Sequence, residues 1–102
     1  MSGVANALPA AVADLHINPS RIAIISSGKT FVPHIFANKR PGGTWVAWIE
    51  FHTEGPLCFV TGRETTQPNR TAVEYWAQGL EPIYFEGAFW RSVELSRCSA
   101  VD

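Results

Sequence analysis

The run Thr44–Thr53, TWVAWIEFHT, decides the fold. Its aromatic and β-branched residues suit a pleated, half-buried strand. Side chains alternate along a strand, so Trp45, Ala47, Ile49 and Phe51 share one face. Val46, Trp48, Glu50 and His52 share the other. The first set is uniformly apolar and predicts the side that faces a core. The second places a tryptophan beside a carboxylate and an imidazole, which a core does not need.

Turn residues bracket this strand and set its neighbours. Upstream, Lys39-Arg40-Pro41-Gly42-Gly43 is a strong turn signal, preceded by a strand over Thr30–Lys39 (TFVPHIFANK). Ser27-Gly28 reads as a two-residue hairpin turn, and Arg21–Ser26 (RIAIIS) as the strand before it. Proline has no N–H for a ladder, so the first strand must be too short to pair at Pro33. Downstream, Thr53–Pro56 turns again and Leu57–Thr65 (LCFVTGRET) returns. These four strands form an antiparallel meander. If the Thr53–Pro56 turn closes symmetrically, Cys58 and Val60 fall on the apolar face. Leu57, Phe59, Thr61 and Arg63 then join Trp48, Glu50 and His52.

A helix is expected over Gln67–Gln78, with Thr66 as N-cap, Pro68 in the first turn and Gly79 as a left-handed stop. Its apolar stripe is Ala72, Val73, Trp76, Ala77 and Leu80, at helical spacing. Ile83–Phe85 reads as a short fifth strand; in Ala88–Ser96, Phe89 and Val93 suit a helix, the reading preferred, while Val93 and Leu95 alternate with Ser92 and Glu94 as in a strand. The class is therefore α+β: a four-stranded antiparallel meander, a packed helix, a short fifth strand and a C-terminal element. Residues 1–18 read as an arm with a weak helix over Pro9–Leu15, and residues 97–102 as a polar tail. All 102 residues belong to one domain.

Composition excludes whole classes of function. Eight Lys and Arg against nine Asp and Glu give a net charge of −1, without the clustered basic excess of a nucleic-acid binder. No apolar run approaches the ~18 residues of a membrane helix. The N-terminus lacks the charged start and unbroken apolar stretch of an export signal, so a cytoplasmic protein is expected. In that setting Cys58 and Cys98 are expected to be reduced thiols, Cys58 as a small core residue. The sequon Asn69-Arg70-Thr71 then carries no meaning.

The second sheet face poses the functional question. One helix cannot cover both faces, and an exposed aromatic face marks a partner or a ligand. The first expectation is a non-catalytic binding module, assembled as a homodimer through that face. Trp48 and Glu50 on one surface also suit a small cationic ligand. The alternative is a small enzyme. There Glu50 and His52, at i and i+2 on one face, act as acid and base. Arg63 and Arg70, from the polar stretch Gly62–Thr71 that leads into a helix N-terminus, bind an anionic group of the substrate. The ligand-binding candidates are thus Trp48, Glu50, His52, Arg63 and Arg70.

Other patterns yield to simpler readings. Ala23–Thr30 (AIISSGKT) has the spacing of a phosphate-binding loop without its first glycine. The extended Phe31-Val32-Pro33 that follows leaves no helix to complete it, so a hairpin turn is predicted. A metal site needs three or more protein ligands. Besides Glu50 and His52, only the scattered His16, His34, Glu54 and Glu86 are candidates, so no metal and no cofactor are expected. No Ser/His/Asp, Cys/His or paired-carboxylate spacing stands out.

Overall fold

The computed structural model describes residues 13–19 and 21–97. Two long strands form its spine: β3 (Lys29–Lys39) and β4 (Trp45–His52), antiparallel and in register from Lys39↔Trp45 to Val32↔His52. Their connection is a tight turn in which the Gly43 N–H donates to the Arg40 carbonyl at 3.0 Å. Pro41 takes the position that a fixed φ favours, and Gly42, at φ 94°, supplies the left-handed residue that follows.

Shorter strands line both edges of this pair. On the free edge of β3, β1 (Leu15–Ile17) pairs with Ile35–Ala37 and β2 (Ile24–Ser26) with Lys29–Phe31. Pro33 falls in the gap between them, as a residue without an N–H requires. The β2–β3 hairpin turns at Ser27 (φ 53°) and Gly28 (φ 76°), the two positive values of a type I′ turn. On the free edge of β4, β5 (Cys58–Val60) pairs with Glu50–His52 and β6 (Thr65–Gln67) with Trp45–Ala47. A last strand, β7 (Ser96–Arg97), pairs with β5.

The four-strand meander is present as β2-β3-β4-β5, and the class is α+β. Several boundaries differ from expectation. The arm contributes a strand, since Leu15 opens β1; the rest of the helix expected over Pro9–Leu15 lies largely outside the described residues. Thr65–Gln67 pair with β4, so the first helix starts later. Helix α1 spans Arg70–Gln78, and its N-cap is Asn69, whose side chain accepts from the Ala72 N–H at 2.8 Å. Gly79 ends α1 in a right-handed conformation (φ −86°), its N–H bonded to the Tyr75 and Trp76 carbonyls. The fifth strand expected at Ile83–Phe85 is instead helical. Helix α2 runs from Pro82 to Leu95, with Pro82 at the first position where a missing N–H costs nothing. Arg97 lies in β7, and the remainder of the expected polar tail lies outside the described residues.

Both helices pack on the same face of the sheet. From α2, Phe85, Ala88, Phe89 and Ser92 are buried at 3- and 4-residue spacing. Phe85, Ala88 and Phe89 join Phe31, Ile35, Ile49, Phe51 and Ala77 in one cluster. From α1, Val73 closes over Leu15, Ala37 and Ala47, with Trp45 and Trp76 at the margin. The alternation in Thr44–Thr53 therefore assigns the core correctly. Among the described residues, no helix lies on the other face. Nor is any described helix long and apolar enough to cross a membrane.

Candidate functional site

The face without a helix collects the chain's three histidines. His16 from β1 lies opposite Phe36, His34 from β3 opposite Glu50, and His52 from β4 opposite Val32. Residues directly opposite in an antiparallel pair project to the same side. His16, Phe36 and Trp48 form a run of stacked rings, with centroids 4.6 Å and 6.1 Å apart. His34 meets His16 through a ring-nitrogen hydrogen bond of 3.0 Å and meets the His52 ring edge-on at 5.0 Å.

Glu50 is the centre of this face and is fully buried. An ionised carboxylate only accepts hydrogen bonds, and burying one demands donors. Trp48 Nε1–H donates to Oε2 at 3.1 Å, and His52 Nε2–H donates to Oε1 at 2.9 Å. The i, i+2 spacing of Trp48, Glu50 and His52 on one strand makes this possible. The pair also fixes the His52 tautomer, because the proton shared with Glu50 must sit on Nε2.

His52 is about one-third exposed, and its exposed part faces a cleft of about 630 Å³ at the end of the sheet. The cleft lies between the β2–β3 turn and the β4–β5 turn, and is lined by Lys29, Val32, His34, His52, Glu54 and Leu57 among others. Thr53 holds the second turn shut, its Oγ1 donating to the Leu57 carbonyl at 2.8 Å. Burial pushes the His34 imidazole below its usual value of 6.5, helped by the nearby His52 and His16 and opposed by Glu50.

The register of β5 corrects the expected faces. The turn is one residue longer than the symmetrical closure, so His52 pairs with Cys58 and Glu50 with Val60. Cys58 and Val60 therefore stand on the histidine face, and Phe59 points into the core against Phe31 and Phe89. Cys58 is buried, with Sγ 3.5 Å from His52 Nε2. It is disulfide-bonded, and among the described residues no cysteine is free. The expectation that Cys58 is a reduced thiol fails here. Pairing of β7 with β5 sets Arg97 opposite Phe59, the residue after Cys58, a neighbourhood that 37 intervening residues conceal in the sequence.

Trp48, Glu50 and His52 are thus one hydrogen-bonded unit, whereas the two arginines are elsewhere. Arg70 sits on α1, on the opposite side of the sheet, in an i, i+4 ion pair with Glu74 (3.2 Å). Arg63 is exposed in the connection between β5 and β6. Its neighbour Glu64 is the engaged residue of that connection. It takes Arg91 Nη2–H at 2.5 Å and the Tyr84 hydroxyl, tying the loop to α2. Burial and the Glu64 hydrogen bond push the Tyr84 hydroxyl up to about 12. His34 and Cys58 were missed as members of the site. The signal for His34 was present: Val32, His34 and Phe36 alternate in the same way as Val46, Trp48 and Glu50.

The chain matches no known family model, no curated protein and no solved structure.

Proposed function

We propose that this chain is a small-ligand-binding domain that seats its ligand in the cleft between the β2–β3 and β4–β5 turns. The observation that carries this reading is the fixed orientation of His52, held by a buried carboxylate while facing a 630 Å³ cleft. A cleft of this size with a few convergent polar groups is the usual form of a small-molecule site. The ligand class differs from the cation expected from Trp48 and Glu50. In the disulfide-bonded chain both Glu50 oxygens already accept from Trp48 and His52, so there the carboxylate is not offered to a cationic ligand. Lys29 lines the cleft as a cation, His34 brings a second imidazole and His52 presents Nδ1 as an acceptor, which favours a small anion that also carries a donor, such as a hydroxycarboxylate.

Calorimetric titration with a panel of small carboxylates and phosphates tests the reading. Binding is expected in the native chain and should weaken roughly tenfold in His52→Gln and His34→Gln, the scale of one lost hydrogen bond. A panel without binders, or binding indifferent to both substitutions, overturns it.

One observation favours acid/base catalysis as a second reading. The Glu50 carboxylate on Nε2 leaves Nδ1 of His52 as the proton acceptor, the arrangement used by oriented catalytic imidazoles. Turnover of a bound compound that is lost in His52→Gln separates catalysis from binding alone. Arg63 and Arg70 have no part in either version. A second copy of the chain over the Phe36–Trp48 end of the histidine face is the assembly we propose. A solution mass of twice 11.2 kDa by light scattering supports it, and a monomer at micromolar concentration rules it out.

A further inference from the structure

Two hydrogen-bond acceptors converge on one nitrogen at the centre of the histidine face. Glu50 Oε1 is 2.9 Å from His52 Nε2, and Cys58 Sγ is 3.5 Å from the same atom. A single N–H serves one acceptor well, and here it serves the carboxylate. The sulfur is a second, longer contact of the same Nε2. In a catalytic Cys–His–acid arrangement the thiol and the acid take opposite ring nitrogens, so this is not one. Ligands that crowd a common point are instead the pattern around a cation. Glu50, His52 and Cys58 offer an oxygen, a nitrogen and a sulfur atom, all within 4.8 Å of one another. Ligands at zinc's bond lengths of ~2.0–2.3 Å, in tetrahedral positions, stand about 3.3–3.6 Å apart. Closing the trio onto an ion therefore takes shifts of a few tenths of an ångström to about one.

We propose that reduction of the Cys58 disulfide turns Glu50, His52 and Cys58 into a three-ligand site for a divalent ion of the zinc class. The mixed oxygen, nitrogen and sulfur donors select borderline ions such as Zn²⁺ and Co²⁺ over Ca²⁺ or Mg²⁺. Three protein ligands leave the fourth position open, as in zinc sites that bind a further molecule. We take Cys98, the one other cysteine of the sequence, as the partner released on reduction. In the reducing step, two equivalents of a cellular thiol supply two electrons and two protons. The S–S bond breaks, two thiols form in the protein, and the reductant leaves as its own disulfide. Metal entry then releases the Cys58 thiol proton to solvent, while the Nε2 proton of His52 passes through solvent to Nδ1, so that a neutral imidazole ligates through Nε2. The disulfide is in this sense a redox gate on metal binding. This inference stands apart from the ligand reading: it concerns the reduced protein and is read by metal absorption, whereas the cleft is tested by ligand affinity on the native chain.

The experiment titrates Co²⁺ into the full chain, before and after treatment with a phosphine reductant. Reduced protein is expected to bind one ion, with a sulfur-to-cobalt band in the near ultraviolet and the visible absorption of a tetrahedral site. Untreated protein should show neither. Cys58→Ser should lose the sulfur band. Cys98→Ser should bind Co²⁺ without any reductant, since Cys58 is then never locked in the intramolecular disulfide. No sulfur band in the reduced chain overturns the proposal, as does a band that survives in Cys58→Ser or disappears in Cys98→Ser. Should the serine variants fail to fold, X-ray absorption of reduced, zinc-loaded native chain decides. One sulfur among oxygen and nitrogen neighbours supports the site, and none, or more than one, refutes it.

Discussion

Glu50 and Trp48 are neighbours on one strand face, and the indole N–H of Trp48 donates to the carboxylate at 3.1 Å. With His52 on the other oxygen, the charge is buried without an unmet partner. The whole face is organised around that satisfied carboxylate.

Removing it leaves two donors inside the protein with nothing to accept them. Glu50→Ala is expected to cost on the order of 3 kcal/mol, because stranded partners of a buried charge lose more than one net hydrogen bond. Glu50→Gln keeps the shape and one accepting oxygen and should cost roughly 1 kcal/mol. Urea denaturation midpoints of the two variants check the order. Equal costs would mean that the shape of the side chain, and not its hydrogen bonds, is what the site requires.

The start of α1 gives a clean contrast between the cap that the structure has and the one expected at Thr66. Asn69 accepts from the Ala72 N–H, so Asn69→Ala should destabilise the protein by about 1 kcal/mol. Thr66 lies exposed in β6, opposite Val46, and Thr66→Ala should shift stability by less than about 0.5 kcal/mol. Thermal melts of both variants under one buffer condition make the comparison. A larger loss at Thr66 would restore the earlier helix start.

Asn69 and Thr66 show what the residue pattern carried and what it did not. The alternation in Trp45–His52 and the type I′ chemistry of Ser27-Gly28 are local, and both were legible. So was the apolar stripe of α1, in which Val73 and Ala77 are buried. Thr65–Gln67 is a strand because β4 offers it a free edge, and nothing in three polar residues announces that. The β5 register depended on whether the turn after His52 held four or five residues, and a one-residue change swaps every face. That single step moved Cys58 from the expected core to the histidines. Trp48, Glu50 and His52 were readable as one group because one strand carries them. His34 and Cys58 reach the group only through strand pairing.

Helix α2 replaces a strand expected at Ile83–Phe85, and side-chain direction separates the two. In a strand Ile83 and Phe85 would share a face. In α2, Phe85 is 1% exposed in the core and Ile83 is 76% exposed. Phe85→Ala should therefore cost roughly 3–5 kcal/mol and Ile83→Ala less than about 0.5 kcal/mol. Chemical denaturation of the two variants reads the difference, and similar losses at both positions would contradict the helix.

The Glu64–Tyr84–Arg91 cluster predicts how the fold responds to alkali. Tyr84 keeps its proton to about 12 in the folded chain, against 10.0 for an ordinary tyrosine. Between those values the folded state holds a proton that the unfolded state has lost, so stability falls as pH rises. The contribution is fully present below pH 10 and declines from there towards pH 12. Tyr84→Phe removes the titrating group and should flatten that decline, while losing the hydroxyl's bond to Glu64 at neutral pH. Arg91 still donates to Glu64, so the carboxylate keeps a partner and the neutral-pH loss should be about 1 kcal/mol. Denaturation midpoints from pH 9 to pH 11.5 measure both effects. Parallel curves for the native chain and Tyr84→Phe across that interval would show that the Tyr84 proton does not stabilise the fold.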